Sequence, residues 1–382
     1  MFVSLVPAIF VGCSTSVTSD ERVHLIPVDT IFLSGNPEAI QPYRSRIWDD
    51  GTNLLLFIPD RRLKTIHVFD LRQRFPAAEV PLNELTDAAG PKHQGILLIA
   101  PVAPDRLMAR FSKGSDFFLM DTRGRLIKRW LVEFESPLRN HKLLDVQPFQ
   151  VLGPDLVYCQ IVFDHIEYIE NPLVQRLHFA GPLGVIIKLN ADSSVVDRII
   201  GEYPAVHRQG RFYDDKQPAY TMGPGGDLVF SFGITDSLVI ISPGGEPRKY
   251  YAGSKQFTKI KPFNPDSVGM AYWRRYTCEK SSYGQIVWDQ YRQVYYRVLL
   301  KPIASVNDDG TANTAMDKPW SIIILDDSFR ILGEVDMPSR TYDWRFIQVI
   351  PEGLMIANNH PQNPIYSSER LSFTIFGLRN DD

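Results

Sequence analysis

Short apolar segments of strand length recur along the whole chain, and Gly, Pro, Asn or Asp bounds each of them. Helical periodicity is almost absent between them, which favours an all-β protein. The pattern repeats in six units, and each unit supplies three or four strands, the content of one β-propeller blade. Because one such sheet cannot cover both of its own faces, the units are expected to stack around an axis. The sequence therefore predicts a six-bladed β-propeller.

Each unit is recognised by a pair of strand-like segments. In chain order the pairs are 53–57 with 66–70, 105–111 with 117–121, 155–158 with 184–189, 227–232 with 237–241, 267–272 with 320–326, and 353–357 with 371–376. Residues 23–33 form a further strand without a partner in its own unit, so we expect it to complete the sixth blade and close the ring. The insert at 274–317 could hold extra strands, which keeps seven blades possible.

The charge composition of the chain limits the classes of partner that it is expected to bind. The chain has 41 Lys and Arg against 44 Asp and Glu, a net charge of −3. Proteins that bind nucleic acid usually carry a basic excess, so no nucleic-acid partner is expected. Cys159 and Cys278 fall in different units, and we predict two buried free thiols rather than a disulfide.

The N-terminal segment predicts an anchor. The first twelve residues are uncharged and mostly apolar, too few for a membrane-spanning helix of about 20 residues but suited to a signal peptide. Residues 10–13, Phe-Val-Gly-Cys, resemble a bacterial lipobox, which implies that Cys13 is acylated and that the membrane is reached through this lipid. Ser14 rather than Asp favours the outer membrane, on its periplasmic or its surface side. We predict a signal peptide at 1–12, a polar tether at 13–21 and one propeller domain at 22–382.

A second segment, residues 286–297, carries a family resemblance. Together with the lipobox and the strand rhythm, it resembles the uncharacterised TolB-like six-bladed propeller lipoproteins of Bacteroidota-type bacteria, a family of unknown function. The resemblance implies the fold and a cell-envelope location, and no activity. The matching residues are Asp289, Arg292, Tyr295, Tyr296 and Arg297.

The residues of this segment also predict a local structure. Asp289 and Arg292 flank a turn within hydrogen-bonding reach, and the next three matching residues alternate across a strand. An internal ion pair that shapes a hairpin is favoured. A ligand platform of aromatic and guanidinium groups is the alternative.

Common catalytic and cofactor motifs are missing from the sequence. We therefore predict that the propeller is non-enzymatic, that it has no cofactor, and that it binds a ligand or a protein. The alternative is a calcium-dependent hydrolase of the lactonase type, with Ca²⁺ near Asn358 and Asn359 in the channel. Matching oxygen ligands are not found at equivalent points of the other units.

Basic residues recur in the connections between units, which gather around one mouth of a propeller channel. One basic group in each connection predicts a positive ring that suits a small anionic ligand. Solvated loops with incidental charge are the alternative. Segment 208–215, which combines basic, aromatic and acidic groups, is the first choice for ligand contact. The candidates are His93, Arg139, His141, Arg208, Arg211, Tyr213, Asp214 and Arg340, and the same set of connections includes Arg44 and Arg46.

Overall fold

The structure is a computed structural model that describes residues 23–35, 44–60, 64–91, 95–144, 149–164, 172–209, 213, 217–262 and 270–380. In this part of the chain, six antiparallel sheets are arranged in a ring and form a six-bladed β-propeller, as predicted. No helix among these residues is long and apolar enough to cross a membrane.

Five sheets are runs of strands that follow one another in the chain, and the sixth adds the first strand of the chain to such a run; the strands are ordered here from the channel outwards. The chain enters as β1 (Val23–Ser34), which belongs to the sixth sheet. The first sheet is β2 (Arg46–Asp49), β3 (Leu54–Asp60), β4 (Thr65–Asp70) and β5 (Phe75–Pro81); the second is β6 (Leu97–Ala103), β7 (Arg106–Phe111), β8 (Asp116–Asp121) and β9 (Leu126–Leu131). The third is β10 (His141–Leu143) with β11 (Gln150–Val151), then β12 (Leu156–Phe163), β13 (Pro182–Leu189) and β14 (Ser194–Glu202).

The other three sheets repeat this order. The fourth is β15 (Ala219–Met222), β16 (Leu228–Ser231), β17 (Ser237–Ile241) and β18 (Arg248–Tyr251). The fifth is β19 (Ser282–Asp289), β20 (Val294–Leu300), β21 (Trp320–Asp326) and β22 (Ile331–Met337). The sixth is β23 (Asp343–Ile350), β24 (Gly353–Ala357), β25 (Arg370–Asn380) and β1.

The ring closes as expected, because β1 pairs antiparallel with β25 from Val23 opposite Asn380 to Ser34 opposite Arg370. The seven-bladed alternative is wrong. The 274–317 insert contains β19 and β20, the first two strands of the fifth sheet. The predicted strand at 267–272 is also wrong over 270–272, which begin the helix α3 (Met270–Glu279), while 267–269 lie outside the described residues. A short apolar run is compatible with either structure, and pattern alone does not separate them.

The hydrophobic core is divided into layers between neighbouring sheets. Six main clusters of buried side chains each join two adjacent sheets around the ring. The middle strands are therefore buried on both faces, as in β20, where every residue is buried. The outer strands alternate, as in β9, and leave one row of side chains in solvent. Cys159 and Cys278 are both buried and free, as predicted.

The two ends of the ring differ. Antiparallel order places the turns from first to second strand and from third to fourth strand on one end, and these are short, as at 50–53, 71–74 and 290–293. We name this end the turn face. The opposite end, the loop face, carries the connections between sheets and those from second to third strand. It includes α1 (Asn83–Ala89), α2 (Pro172–Ala180) and α3. Every inner strand begins at the loop face, whereas β1 begins at the turn face.

The closing strand provides a test of this fold. Ile31 is almost fully buried between the sixth and first sheets, while its neighbour Phe32 is partly exposed beside Arg370. We expect Ile31→Ala to lower the free energy of unfolding by about 2–5 kcal/mol in urea titrations, because it leaves a cavity in the closure layer. The control Phe32→Ala should lower it by about 1 kcal/mol or less. Equal losses from the two variants would contradict the closure described here.

Candidate functional site

A cavity of about 440 Å³ lies on the propeller axis, towards the loop face. It is lined by the beginnings of inner strands from five sheets, namely β2, β11, β15, β19 and β23. Convergence of these strands brings together side chains that are about 300 residues apart in the chain, such as those of Arg46 and Arg345. The polar side chains of the lining are Arg46, Gln150, Gln217, Tyr220, Thr221, Ser231, Tyr283, Gln285, Arg345 and Gln348.

Among the residues that the structure describes, the lining has two arginines and no Asp or Glu, so its charge there is positive. Arg46 is the first residue of β2, and its guanidinium Nη1 donates to the carbonyl oxygen of Ser45 at 2.6 Å. Burial lowers the pKa of Arg46 to about 10, because the charged form has lost much of its water. Within the described part of the chain, no carboxylate forms an ion pair with it. Arg46 is thus a desolvated cation that faces an open cavity.

Arg345, in β23, is held differently. Its Nε and Nη2 donate to the two carboxylate oxygens of Asp343, each at 2.9 Å, and Asp343 is buried. The side-chain amide of Gln285 donates to the backbone carbonyl of Arg345. About 40% of the Arg345 side chain is still exposed. Asp343 therefore fixes the plane of a guanidinium that remains accessible at the cavity wall.

Neutral hydrogen-bonding groups complete the cavity. Burial raises the pKa of the Tyr220 hydroxyl well above its usual range, so this group stays protonated and can donate. The Tyr220 ring packs edge to face on Tyr158, with centroids 4.8 Å apart. Side-chain amides of Gln150, Gln217 and Gln348 can each donate and accept. The lining can therefore surround an anion with cations and neutral donors.

The sequence-predicted ring lies mostly elsewhere. Arg208 forms an exposed ion pair with Glu202 at 2.9 Å, and Arg139 is exposed in a loop. Arg340 donates to Asn313 Oδ1 at 2.7 Å and fixes the connection before β21. None of these three lines the cavity, whereas Arg46, from the same set of connections, does.

Two further ring candidates, Tyr213 and His141, also lie away from the cavity lining. Tyr213 is buried, and His141 begins β10 with its ring edge to face on Phe163. Burial lowers the pKa of His141, which favours the neutral ring. His93, Arg211 and Asp214 lie outside the described residues, as does Cys13.

Asn358 and Asn359 follow β24. Asn358 is buried, its Oδ1 accepts from the Thr374 hydroxyl at 2.9 Å, and its backbone N–H donates to Ser372. Asn359 is half-buried. Among the residues that the structure describes, no group of three or more His, Cys, Asp or Glu is placed to share a metal ion. Calcium near these asparagines stays a prediction.

The Asp289 motif forms the hairpin that its sequence indicates. Asp289 is fully buried and accepts from the backbone N–H groups of Tyr291 and Arg292, from Arg292 Nη1 at 3.0 Å and from the Tyr296 hydroxyl at 3.2 Å. Arg292 Nη2 continues to the carbonyl of Pro351 at 2.7 Å, in the turn of the sixth sheet. The ion pair therefore ties two sheets together at the turn face.

Arg297 ties the fifth sheet to the fourth. It is fully buried and donates to five acceptors of the β16–β18 region, including the carbonyls of Thr235 at 2.7 Å and Ala252 at 2.8 Å. Its guanidinium carbon lies 3.6 Å from the centroid of the Tyr283 ring. Tyr295 and Tyr296 are buried in the layers on either side of the fifth sheet. These five residues stabilise interfaces between sheets and lie outside the cavity lining.

Sequence reasoning missed Arg345 and the glutamines of the cavity. The signal that could have found them is position: Arg46, Gln150, Gln285 and Arg345 all lie within the first four residues of an inner strand. Using that signal requires knowing which strand is innermost and which of its residues face the axis.

A matched pair of turn aspartates tests the structural role of the motif. Asp70 accepts from backbone N–H groups two and three residues later, as Asp289 does, but has no arginine partner within the described residues. Asparagine can still accept those backbone bonds, so Asp70→Asn should cost less than about 1 kcal/mol of stability. Asp289→Asn also loses the bonds from Arg292 and Tyr296 and should cost about 2–4 kcal/mol in urea unfolding. Equal costs would show that the ion pair contributes nothing.

Comparison with known proteins agrees with the fold. Residues 187–336 match the sequence model of a family described as a domain of unknown function (DUF4221). A crystal structure of a DUF4221 family member from Bacteroides vulgatus ATCC 8482 is 19% identical, covers 94% of this chain and 99% of that chain, and has a TM-score of 0.75. The predicted resemblance to an uncharacterised family of bacterial propellers is confirmed.

A second solved structure is more distant. A candidate exported protein from Bacteroides fragilis NCTC 9343 is 11% identical over 96% of this chain and 98% of that chain, with a TM-score of 0.53. At such identities the likeness shows the fold alone. No curated protein matches the chain in sequence.

Proposed function

We propose that this propeller is a non-enzymatic binding protein that holds a small anionic ligand in its central cavity. The observation that carries the proposal is the cavity lining, which within the described part of the chain contains the guanidinium groups of Arg46 and Arg345 and no carboxylate. The cavity volume of about 440 Å³ lies within the range of about 300–1,000 Å³ that is usual for small-molecule sites.

Arg46 supplies the electrostatic argument. A buried charge is normally paired, because removal from water costs free energy that only a partner restores. The pKa of Arg46 is lowered to about 10 because the desolvation of its guanidinium is not offset by an ion pair within the described residues. The group nevertheless remains protonated at neutral pH. An oxyanion in the cavity would provide the missing partner. Folding has already desolvated this cation, so its desolvation adds little to the free-energy cost of ligand binding.

Arg345 supplies the geometric argument. Because Asp343 already holds its guanidinium, a ligand need not immobilise a flexible side chain, and less conformational entropy is lost on binding. Arginine matches carboxylate and phosphate oxygens in pairs, which points to either of these groups. The glutamine amides and the Tyr220 hydroxyl suit hydroxyl or carbonyl groups on the rest of the ligand.

Thermal unfolding with citrate and with inorganic phosphate as probes tests the site. We expect at least one of these anions at millimolar concentration to raise the Tm of the wild-type protein, since ligands that bind only the folded state stabilise it. Arg46→Gln should abolish that increase. Without ligand, the Tm of Arg46→Gln should equal or exceed that of the wild type, because the substitution removes a desolvated charge.

The matched control is Arg123→Gln, which removes one positive charge from an exposed turn on the turn face. It should leave the anion-induced increase in Tm unchanged. An equal loss in both variants would mean that the anions act on net charge alone, and the cavity site would be rejected. No increase for the wild type with either probe would also reject it.

For location, we propose a lipid anchor at Cys13 in the bacterial cell envelope. The lipobox-like sequence and the polar residues after it support this. Because β1 begins at the turn face, an anchor joined before Val23 would attach on that side of the ring. The loop face and its cavity would then point away from the membrane.

Fractionation of cells tests the anchor. Cys13→Ala should move the protein from the membrane fraction to the soluble fraction, because the acylated thiol is lost. The control Ser14→Ala keeps the cysteine and should stay with the membranes. Membrane association that persists in Cys13→Ala would refute the anchor and leave the cavity proposal untouched.

A further inference from the structure

A second site lies on the loop face, in the connection between the fourth and fifth sheets. Residues 258–261 and the helix α3 enclose a groove of about 330 Å³. The backbone N–H of Thr258 donates to the Ser281 hydroxyl at 3.0 Å and joins the two walls. Within the described part of the chain, the groove and the central cavity have no lining residue in common. They are near each other in the chain, because Ser281 lines the groove and Tyr283 lines the cavity.

The groove is strongly basic. Among the described residues, its lining contains Lys259, Lys261, Arg275 and Lys280 and one carboxylate, Glu279, which pairs with Arg275 at 3.0 Å. Lys259 and Lys261 are exposed, and neither forms an ion pair within the described residues. The whole chain has a net charge of −3, so positive charge is concentrated here rather than spread evenly.

Two tyrosines add flat apolar surfaces. Tyr272 and Tyr276 lie one helical turn apart on α3, with ring planes 12° apart and centroids 6.4 Å apart. Both are half-buried at the groove. The Lys280 ammonium lies 4.7 Å from the centre of the Tyr276 ring, a cation–π distance. Charge and aromatic surface therefore alternate along one side of the helix.

From this arrangement we infer that the groove binds an acidic polysaccharide, a chain of sugar units that carry carboxylate or sulfate groups. Cations on both walls suit repeated negative charges better than a single small anion. The C–H faces of sugar rings pack on tyrosine rings, while the polymer's acidic groups reach the lysines. Nucleic acid usually requires a longer basic track than four side chains.

Isothermal titration of the full chain with oligogalacturonate at low ionic strength tests the inference. We expect Lys259→Ala/Lys261→Ala to weaken binding at least tenfold, and Tyr272→Ala to weaken it several-fold with a smaller change in salt dependence. The matched control is Lys113→Ala/Lys249→Ala, which removes the same charge from two exposed positions. Lys113 lies between β7 and β8 of the second sheet, and Lys249 lies in β18 of the fourth sheet. It should bind as the wild type does, and all variants should unfold at similar temperatures.

Several results would contradict the proposal that the groove binds an acidic polysaccharide. They are undetectable binding by the wild type, equal weakening in the control, or equally tight binding of single-stranded DNA or anionic phospholipid vesicles at matched charge. The cavity variant Arg46→Gln separates the two sites. It should keep oligogalacturonate binding, and loss of that binding in Arg46→Gln but not in the groove variant would place the polymer in the cavity.

Discussion

The pairing of β1 with β25 determines whether the six sheets form a ring, and the central cavity exists only in a closed ring. The closing strand belongs to the sixth sheet, and the chain continues from it into β2 of the first sheet. The two cavity arginines lie on either side of this closure, Arg46 in β2 and Arg345 in β23. The layer that buries Ile31 and Leu33 against Phe346 therefore also sets the distance between the two cations.

Arg297 and Arg46 show how one residue type can serve either structure or binding. Arg297 donates to carbonyl and hydroxyl oxygens of the fourth sheet and lies against the Tyr283 ring, so the folded chain itself satisfies its guanidinium. Arg46 has its charge desolvated beside an open cavity, with one hydrogen bond to the carbonyl of Ser45. A charge satisfied by the fold stabilises that fold, whereas a charge that the fold leaves uncompensated favours a ligand.

The fold could be predicted because its determinants are local. Strand-ending aspartates such as Asp70, Asp121, Asp289 and Asp326 each accept from backbone N–H groups in the turn that follows, so the sequence marks the turn face directly. The helix α3 was missed because its apolar run also fits a strand. The cavity residues could not be derived, because a shift of one residue in register exchanges channel-facing and buried side chains. Arg208 illustrates the same limit, since its partner Glu202 satisfies it locally.

The difference between the two faces explains where binding can develop. At the turn face, short turns with aspartate bonds, the Arg292 bridge to Pro351 and the Tyr291 contact with Asp49 hold neighbouring and distant sheets in fixed positions. The loop face carries the connections between sheets, which can change in length and composition without disturbing that framework. The cavity and the groove beside α3 both open there. A lipid anchor before β1 would act at the opposite face, so attachment and binding would not compete for the same surface.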